Sequence, residues 1–262
     1  MILYGTAQKG FTGSCVEPTT CGRNQSDGPV RSPTVKRRAS VDSPVSDDRD
    51  RWNDRYEQAD FDPDDDPVPA LERRISTLPD GRALDVATGT GRNALFLAEH
   101  GYDVDAVDIS DAALERARDR AAERGVDANW IRADLADFDP GRERYDVIVV
   151  SFFAALEHLP ALKDALAPGG VLIYEHHLRS SDPVAGPSTD RYRYRSNDLL
   201  RACLDLTILS YEERRRPVDD GGDEDGSEDD DGTIAVATLV ARRSSGGTQS
   251  YPLVSDVGGD DA

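Results

Sequence analysis

A regular alternation of strand-like and helix-like segments between Gly81 and Glu175 constrains the fold of this 262-residue chain more than any other feature. Five short apolar runs are predicted to be strands: Ala83–Ala87, Val104–Ile109, Ala128–Arg132, Tyr145–Val150 and Val171–Glu175. Segments of helical periodicity lie between most of them, and Gly101 and Gly125 stand where two of these helices should end. Strands that alternate with helices at this spacing form a parallel, right-handed, doubly wound sheet in an α/β domain.

The last part of the sequence departs from this alternation. A helix is predicted at Ser196–Cys203, and strands at Leu206–Tyr211 and Thr233–Val240 follow with no helix between them. Two successive strands of this kind indicate an antiparallel hairpin at the edge of the sheet. The connection at residues 219–232 is rich in Asp, Glu and Gly, and it is predicted to be a mobile acidic loop.

Both ends of the chain differ in composition from its middle. Residues 1–48 are rich in Gly, Pro, Ser and Thr and have no hydrophobic period, so they are predicted to be a disordered N-terminal extension. Residues 244–262 are predicted to be a disordered tail, which leaves 49–243 as one folded domain. No apolar run approaches the roughly 18 residues that a membrane span needs, so the sequence predicts no transmembrane helix.

The charge of the chain limits its partners. The formal net charge is −20 at pH 7, so DNA, RNA and anionic membrane surfaces should be repelled, and no nucleic-acid or membrane partner is expected. The sequence contains 38 Asp but only 3 Lys. A dense acidic surface of this kind suits high salt, where screening removes the self-repulsion. We therefore expect a cytoplasmic protein of a halophile that accumulates salt.

A glycine-rich turn between the first predicted strand and the following helix carries the strongest functional signal. Such a turn lets a ligand approach the backbone and points a helix N-terminus at it. Gly89, Gly91 and Ala94 satisfy the loose dinucleotide fingerprint, so an NAD(P)-dependent oxidoreductase is one interpretation. Asp85 before the turn and Asp134 after the third strand argue against it, because carboxylates repel a pyrophosphate but tolerate an ammonium or sulfonium group.

With its motifs taken in order, the chain resembles the class I S-adenosylmethionine-dependent methyltransferases over residues 50–242. Five segments carry the resemblance: Asp85–Gly91, Val104–Ser110, Arg132–Leu135, Tyr145–Ile148 and Leu166–Gly170. The first of them has Ala87 where the family has its first glycine. The resemblance implies a Rossmann-like, seven-stranded, mostly parallel sheet of order 3-2-1-4-5-7-6 with a C-terminal antiparallel hairpin. It also implies S-adenosylmethionine as the cofactor.

The resemblance further implies a set of cofactor-binding residues: Arg55, Asp85, Ala87, Gly89, Gly91, Asp108, Ile109, Asp134, Leu135 and Ser151. Asp108 is expected to accept hydrogen bonds from both ribose hydroxyls. Asp134 is expected to contact the adenine amino group, the alternative being an ordinary loop carboxylate. Asp85 either orients the turn or faces the ammonium end. Arg55 either pairs with the methionyl carboxylate or forms a salt bridge on the surface of its helix.

A narrower resemblance concerns the tellurite-resistance-type methyltransferases. Its carriers are Trp52-x-x-Arg55-Tyr56 ahead of the domain, Arg193–Leu200 and Leu209–Glu213. Substrates within that branch vary, so the resemblance does not identify the methyl acceptor. We expect a small-molecule acceptor and a monomer or weak dimer.

The acceptor is expected to bind beyond the fourth and fifth strands. His177 and His176 end the fifth strand and are the candidate catalytic bases, the alternative being hydrogen-bonded histidines at the rim. Strand side chains alternate, so the two rings should lie on opposite faces and no metal site is expected. Residues 180–195 are predicted to close over the substrate as a lid. A non-catalytic cofactor-binding module remains the rival interpretation.

Overall fold

The computed structural model describes residues 34–35, 44–58, 61, 63, 65–217 and 232–247, and these form nine strands, six α-helices and two short 3-10 turns. In chain order they are β1 (Thr34–Val35), α1 (Pro44–Glu57), α2 (Pro69–Glu72), a 3-10 turn (Ile75–Thr77), β2 (Arg82–Val86), α3 (Arg92–Glu99), β3 (Asp103–Asp108), α4 (Asp111–Arg124), β4 (Asn129–Arg132), β5 (Phe138–Asp139), β6 (Tyr145–Ser151), α5 (Leu159–Ala165), β7 (Leu166–His177), a second 3-10 turn (Asp190–Tyr192), α6 (Asp198–Ala202), β8 (Thr207–Pro217) and β9 (Thr233–Arg242).

Seven of the strands form one sheet in the order β4-β3-β2-β6-β7-β9-β8. Numbered within this sheet along the chain, that order is 3-2-1-4-5-7-6, so the predicted topology is confirmed. The first five strands of the sheet are parallel, whereas β9 runs antiparallel to both β7 and β8. The short strands β1 and β5 pair separately, which the sequence analysis did not predict.

The core lies on both faces of this sheet because the central strand β6 carries apolar side chains on both sides. The Val and Ile side chains of β6 alternate between the two faces and are fully buried. One face packs against α5 and includes Tyr145 and Tyr174, whereas the other packs against α2 and α3 and includes Leu71 and Leu97. The carboxyl ends of the parallel strands therefore meet at a single edge, where ligands of open α/β sheets bind.

Local sequence signals account for the start of helix α5. It begins at Leu159, because Pro160 lies in its first turn and lacks only an N–H that would have no partner there. Helix α1 begins at Pro44, within the stretch predicted to be a disordered extension. Helix α4 is capped by Ser110, whose hydroxyl accepts from the Ala113 N–H at 3.1 Å.

Helix α1 is held against the start of α4. The Asn53 side-chain oxygen accepts hydrogen bonds from the Ser110 hydroxyl at 2.8 Å and from the Ala112 N–H at 3.3 Å. The Arg116 guanidinium on α4 donates to the backbone carbonyls of Phe61 at 2.6 Å and Tyr56 at 3.4 Å. These contacts place the end of α1 above the carboxyl edge of the sheet.

A buried carboxylate stabilises the opposite side of the sheet. Asp105 lies in the first half of β3 and is fully buried. Its oxygens accept from the Tyr145 hydroxyl at 2.8 Å and the Asn129 amide at 2.6 Å, and they also pair with the guanidinium groups of Arg82 and Arg144. Because a buried charge is costly unless it is paired, this network ties the four neighbouring strands β4, β3, β2 and β6 together away from the ligand edge.

Some predictions fall outside the described residues. They concern 1–33 and 36–43 of the N-terminal extension, most of the acidic loop 219–232, and the tail after Gly247. Within the described ranges, none of the helices has both the length and the apolarity of a membrane span.

Candidate functional site

The turn from β2 into α3 adopts a left-handed backbone at three positions. Ala87, Gly89 and Gly91 have φ angles of 53°, 55° and 89°. Gly91 caps α3, and a Cβ there would lie 2.9 Å from the Trp130 ring, so this position requires glycine. Ala87 tolerates the conformation that glycine favours at a cost of roughly 1–2 kcal/mol. The turn therefore presents bare backbone at the carboxyl edge.

Asp85 lies beneath this turn and is fully buried. Its carboxylate accepts a hydrogen bond from the Thr88 hydroxyl at 2.5 Å and a long one from the Asn93 amide at 3.5 Å. The same amide donates to the Ser151 hydroxyl at 3.0 Å, which joins the ends of β2 and β6. Burial raises the pKa of Asp85 from 3.8 to about 6, although the Thr88 and Asn93 hydrogen bonds oppose the shift. These contacts support the turn-orienting alternative for Asp85.

Asp108 ends β3 beside the turn and is 8% exposed. One carboxylate oxygen accepts from the Gly89 N–H at 2.8 Å, and the other accepts from the Ser110 N–H at 2.9 Å. Burial raises its pKa, and the backbone donors of Ser110 and Gly89 oppose that shift. Each oxygen keeps a second lone pair, so the fixed carboxylate can accept from both hydroxyls of a diol.

The turn after β4 lies next to Asp108 at the same edge. The Ala133 N–H donates to the Asp108 carbonyl at 2.9 Å, which joins the two strand ends. Asp134 follows and is half-buried, and one of its oxygens accepts from the Ala136 N–H at 2.9 Å. Leu135 packs against the apolar core. The structure therefore brings Asp108 together with the predicted pair Asp134 and Leu135.

Helix α1 contributes a residue that sequence reasoning missed. The Tyr56 hydroxyl reaches the glycine turn, since it lies 2.7 Å from where a Cβ on Gly89 would stand. The Tyr56 ring is 5.1 Å from the Phe61 ring, edge to face. The predicted residue Arg55 places its guanidinium 4.4 Å from the Phe61 ring centre. The signal in the sequence was the segment Trp52-x-x-Arg55-Tyr56, in which only Arg55 was assigned a role at the site.

The edge beyond β6 and β7 is lined by aromatic rings. Phe152 has a φ angle of 53°, and its N–H donates to the Glu175 carbonyl at 2.9 Å. Its ring centre lies 4.7 Å from that of His177 and 5.5 Å from the Arg92 guanidinium. His177 is 7% exposed. Burial lowers the pKa of His177 to about 3, and the positive groups of Arg193 and Arg216 add to the shift.

His176 lies on the other face of β7, as the alternation of strand side chains predicted. It is 1% exposed, and its ring centre is 4.2 Å from that of Tyr194. Burial lowers the pKa of His176 to about 4, and the nearby backbone of Tyr192 opposes this shift. Neither ring nitrogen of His176 has a hydrogen-bond partner within the described residues. A general base works best with a pKa near the operating pH, so burial works against this role for both histidines. Within the described residues no His, Cys and carboxylate cluster suits a metal ion.

The predicted lid is tied to the sheet by its backbone. The Tyr194 N–H donates to the His177 carbonyl at 2.9 Å, and the Arg179 N–H donates to the Tyr194 carbonyl at 2.8 Å. The Ala185 N–H donates to the Thr233 carbonyl at 2.8 Å. These bonds make residues 178–195 an extension of the sheet edge, and we refer to this stretch as the roof segment.

Comparison with known proteins agrees with this arrangement. The family profile described as a methyltransferase domain matches residues 83–170, which run from β2 into β7. That span contains the glycine turn, Asp108, Asp134 and Ser151. Residues 83–170 thus belong to a domain of the class I S-adenosylmethionine-dependent methyltransferase family. The methyl donor of this family is S-adenosylmethionine.

The chain is also similar to several known proteins, two of which are methyltransferases by name. Hemagglutinin 1 of Eikenella corrodens is 32% identical over 154 residues, which cover 55% of this chain and 50% of that protein. Glycine N-methyltransferase of Rattus norvegicus is 34% identical over 118 residues, which cover 36% and 40% of the two chains. Demethylmenaquinone methyltransferase of Thermus thermophilus is 36% identical over 99 residues, covering 35% and 45%. The match thus spans half or less of each relative's length.

Solved structures share the fold of the methyltransferase at low sequence identity. A protein studied for the conversion of a disulfide bond into a thioacetal group during echinomycin biosynthesis has a TM-score of 0.56 and 24% identity, with 76% of this chain and 94% of that chain covered. TehB from Haemophilus influenzae has a TM-score of 0.55 and 20% identity, with 74% and 66% covered. At these identities the likeness shows the fold alone.

Two clefts in the methyltransferase lie outside the glycine turn itself. One of about 340 Å³ runs between α1 and α4 and is bordered by Tyr56 and Asp111. The other, of about 240 Å³, is lined by Lys163, Asp205 and Arg243. The second lies at the amino edge of the parallel strands, because Arg243 follows the end of antiparallel β9. It therefore plays no part in the site at the carboxyl edge.

Proposed function

We propose that this methyltransferase transfers the methyl group of S-adenosylmethionine to a small-molecule acceptor. The observation that carries the proposal is the pairing of Asp108 with the glycine turn. The Gly89 N–H fixes one Asp108 oxygen at 2.8 Å. A carboxylate that can accept hydrogen bonds from a diol therefore lies beside a turn of bare backbone, at the ends of two strands. A nucleoside with a charged amino-acid tail needs both features together.

The cofactor is proposed to bind across three strand ends. Asp108 would accept from the ribose hydroxyls, with Ile109 beside it. Asp134 and Leu135 would border the adenine. The remaining oxygen of Asp134 is the acceptor for the adenine amino group, since the first is engaged by the Ala136 N–H.

The methionyl end is proposed to lie along the glycine turn. Ala87, Gly89 and Gly91 supply the open backbone there, and Tyr56 covers the turn from above. Ser151 approaches from the end of β6 through its hydrogen bond with Asn93. Arg55 remains our candidate for the methionyl carboxylate, although its guanidinium packs on the Phe61 ring in this structure.

The reaction itself needs mainly geometry. The carbon attached to a sulfonium is already activated, so catalysis depends on in-line positioning of acceptor, methyl and sulfur. A thiolate or another soft anion attacks without a base. An oxygen or nitrogen acceptor would have to lose a proton, and His177 or His176 would be its base. Their pKa values of about 3 and 4 make both weak bases, which favours the soft acceptor.

The cellular setting is proposed from the charge. With 38 Asp, 3 Lys and a net charge of −20, the chain suits the cytoplasm of a halophile that accumulates salt, as a monomer or weak dimer. A melting series in KCl checks this: the midpoint should rise with salt, and full stability at low salt would remove the halophilic assignment.

The proposed activity is tested by incubation with methyl-labelled S-adenosylmethionine in molar KCl. The panel of acceptors contains small thiols, chalcogen oxyanions, amines and phenols, and formation of S-adenosylhomocysteine is followed. We expect turnover with a thiol or another soft acceptor, and slower turnover with the Asp108→Ala variant when S-adenosylmethionine is below saturation. Cofactor binding without turnover across the panel would favour a non-catalytic module. Tight NAD(H) binding in place of S-adenosylmethionine would favour an oxidoreductase.

A further inference from the structure

One guanidinium group joins the strands and turns of the roof segment. Arg193 Nε donates to the Pro187 carbonyl at 2.8 Å, and Nη1 donates to the Leu178 carbonyl at 3.3 Å. Nη2 donates to the carbonyls of Val184 at 3.4 Å and Ala185 at 3.2 Å. Arg193 is half-buried, and burial lowers its pKa. The Arg193 guanidinium therefore donates four hydrogen bonds to the backbone of a single loop.

The part of the loop that Arg193 holds lies directly on His177. A Cβ added to Gly186 would stand 2.7 Å from His177 Cε1 and 2.8 Å from Nδ1, so the backbone is in contact with the imidazole. His177 packs on Phe152 on another side, with ring centres 4.7 Å apart. The imidazole is thus enclosed between the residue that follows β6 and the roof segment.

Backbone hydrogen bonds to the sheet hold the roof segment at three points. Between Leu178 and Val184 the segment is held by side-chain contacts instead. The Leu178 N–H donates to the Ala235 carbonyl at 2.7 Å, and Ala185 and Tyr194 are bonded to Thr233 and His177. Arg193 connects Leu178, Val184, Ala185 and Pro187 to one another. Arg179 adds bonds to the carbonyls of Asp190 at 3.0 Å and Arg193 at 3.3 Å, but of these two guanidinium groups only that of Arg193 contacts the stretch 184–187 that covers His177.

We infer that Arg193 is a positioning residue that fixes the roof segment over His177 and so gives the acceptor pocket a rigid, size-limiting wall. The inference rests on the proposed function, because the acceptor binds at the edge beyond β6 and β7 only if methyl is transferred there. A planar fork of donors suits four carbonyls in different directions. A lysine would supply one point charge and fewer directed donors, so it would not replace Arg193.

The roof is tested without any acceptor by chemical modification of histidine. Diethyl pyrocarbonate is applied to the full chain in molar KCl, and modification at each histidine is followed by mass spectrometry. His100, which is exposed, serves as the internal reference. The variants are Arg193→Ala, Arg193→Lys and the matched control Arg195→Ala, whose side chain is exposed in the same segment.

We expect the modification rate of His177, relative to His100, to rise about tenfold or more in Arg193→Ala. Loss of even one hydrogen bond from a charged donor is worth roughly that factor. His177 should also be modified faster in Arg193→Lys, and at the wild-type rate in Arg195→Ala. Added methylguanidinium should restore the protection of His177 in Arg193→Ala. Equal protection of His177 in wild type and in both folded Arg193 variants would overturn the inference.

Two further measurements separate this inference from the proposed function. Binding of S-adenosylhomocysteine by calorimetry should be unchanged in Arg193→Ala, since the cofactor edge is formed by other strands. With an acceptor found in the panel, Arg193→Ala should raise the KM for the acceptor several-fold and leave the KM for S-adenosylmethionine unchanged. Faster modification of His177 in Arg193→Ala with an unchanged KM for the acceptor would refute the claim that the roof segment limits the acceptor pocket. A wild type that does not bind S-adenosylhomocysteine would refute the proposed function alone.

Discussion

Replacing Asp85 with Asn tests the claim that a buried charge beneath the glycine turn is maintained at a cost to stability. Asp85 is fully buried, and its donors are the Thr88 hydroxyl and the Asn93 amide. Asn keeps one oxygen for the Asn93 donor and places an amide opposite Thr88, whose hydroxyl can rotate to accept. The substitution therefore removes the charge and preserves the shape.

The magnitude follows from the raised pKa. A rise in the pKa of Asp85 from 3.8 to about 6 corresponds to about 3 kcal/mol. The free energy of unfolding is lower by this amount at a pH where Asp85 is ionised in the folded protein. Below the unfolded pKa both states are protonated and nothing is lost. As pH rises from 3.8 through about 6 the folded state retains the proton longer, so the free energy of unfolding falls across this window and levels above it.

Urea unfolding in molar KCl, without cofactor, measures this difference between pH 4 and 8. Exchanging one hydrogen bond costs about 1 kcal/mol, so Asp85→Asn should be about 1 kcal/mol less stable than wild type near pH 4. Near pH 8 it should be about 2 kcal/mol more stable. A difference between the two proteins that stays constant from pH 4 to 8 would show that Asp85 is ionised throughout, which would refute the reasoning.

Three other substitutions or deletions follow from the structure. Gly91→Ala should destabilise the protein by about 2 kcal/mol or more in urea unfolding, because the new Cβ takes a left-handed φ of 89° and lies 2.9 Å from Trp130; a loss below about 0.5 kcal/mol would contradict this. Tyr145→Phe should cost about 1–3 kcal/mol by removing the 2.8 Å hydrogen bond to buried Asp105, and an unchanged urea midpoint would exclude that bond. Deleting residues 1–33 should leave S-adenosylhomocysteine affinity unchanged by calorimetry, since the stretch offers few apolar residues to the core; weaker binding would give it a role in the site.

The sheet and the positions of the residues at its carboxyl edge were largely predictable because their signals are local. Strand runs separated by capped helices predict a doubly wound sheet, and the caps at Ser110 and Gly125 mark the bounds of α4 within the sequence itself. The position of Asp108 at the carboxyl edge was predictable for the same reason. Asp108 ends β3, and the helices on either side of β3 in the sequence indicate that this strand is parallel to its neighbours. The family resemblance then added the strand order and the cofactor.

Contacts that depend on distant segments were not predictable. Tyr56 reaches Gly89 only because Asn53 and Arg116 dock α1 on α4, more than fifty residues away in the chain. The two-residue strands β1 and β5 are too short to show a periodicity. The role of Arg193 depends on the path of a loop whose carbonyls it collects, and no sequence motif records that path.

The central claim is that the glycine turn and Asp108 bind the nucleoside of S-adenosylmethionine. Calorimetric titration with S-adenosylhomocysteine in molar KCl tests it, using wild type, Asp108→Ala and the control Asp111→Asn, whose carboxylate pairs with Arg132 at 3.1 Å on the same edge. We expect one site in the wild type, an unchanged control, and an affinity about 5- to 150-fold lower in Asp108→Ala, which corresponds to about 1–3 kcal/mol. A wild type that does not bind, or a folded Asp108→Ala that binds equally well, would contradict the claim.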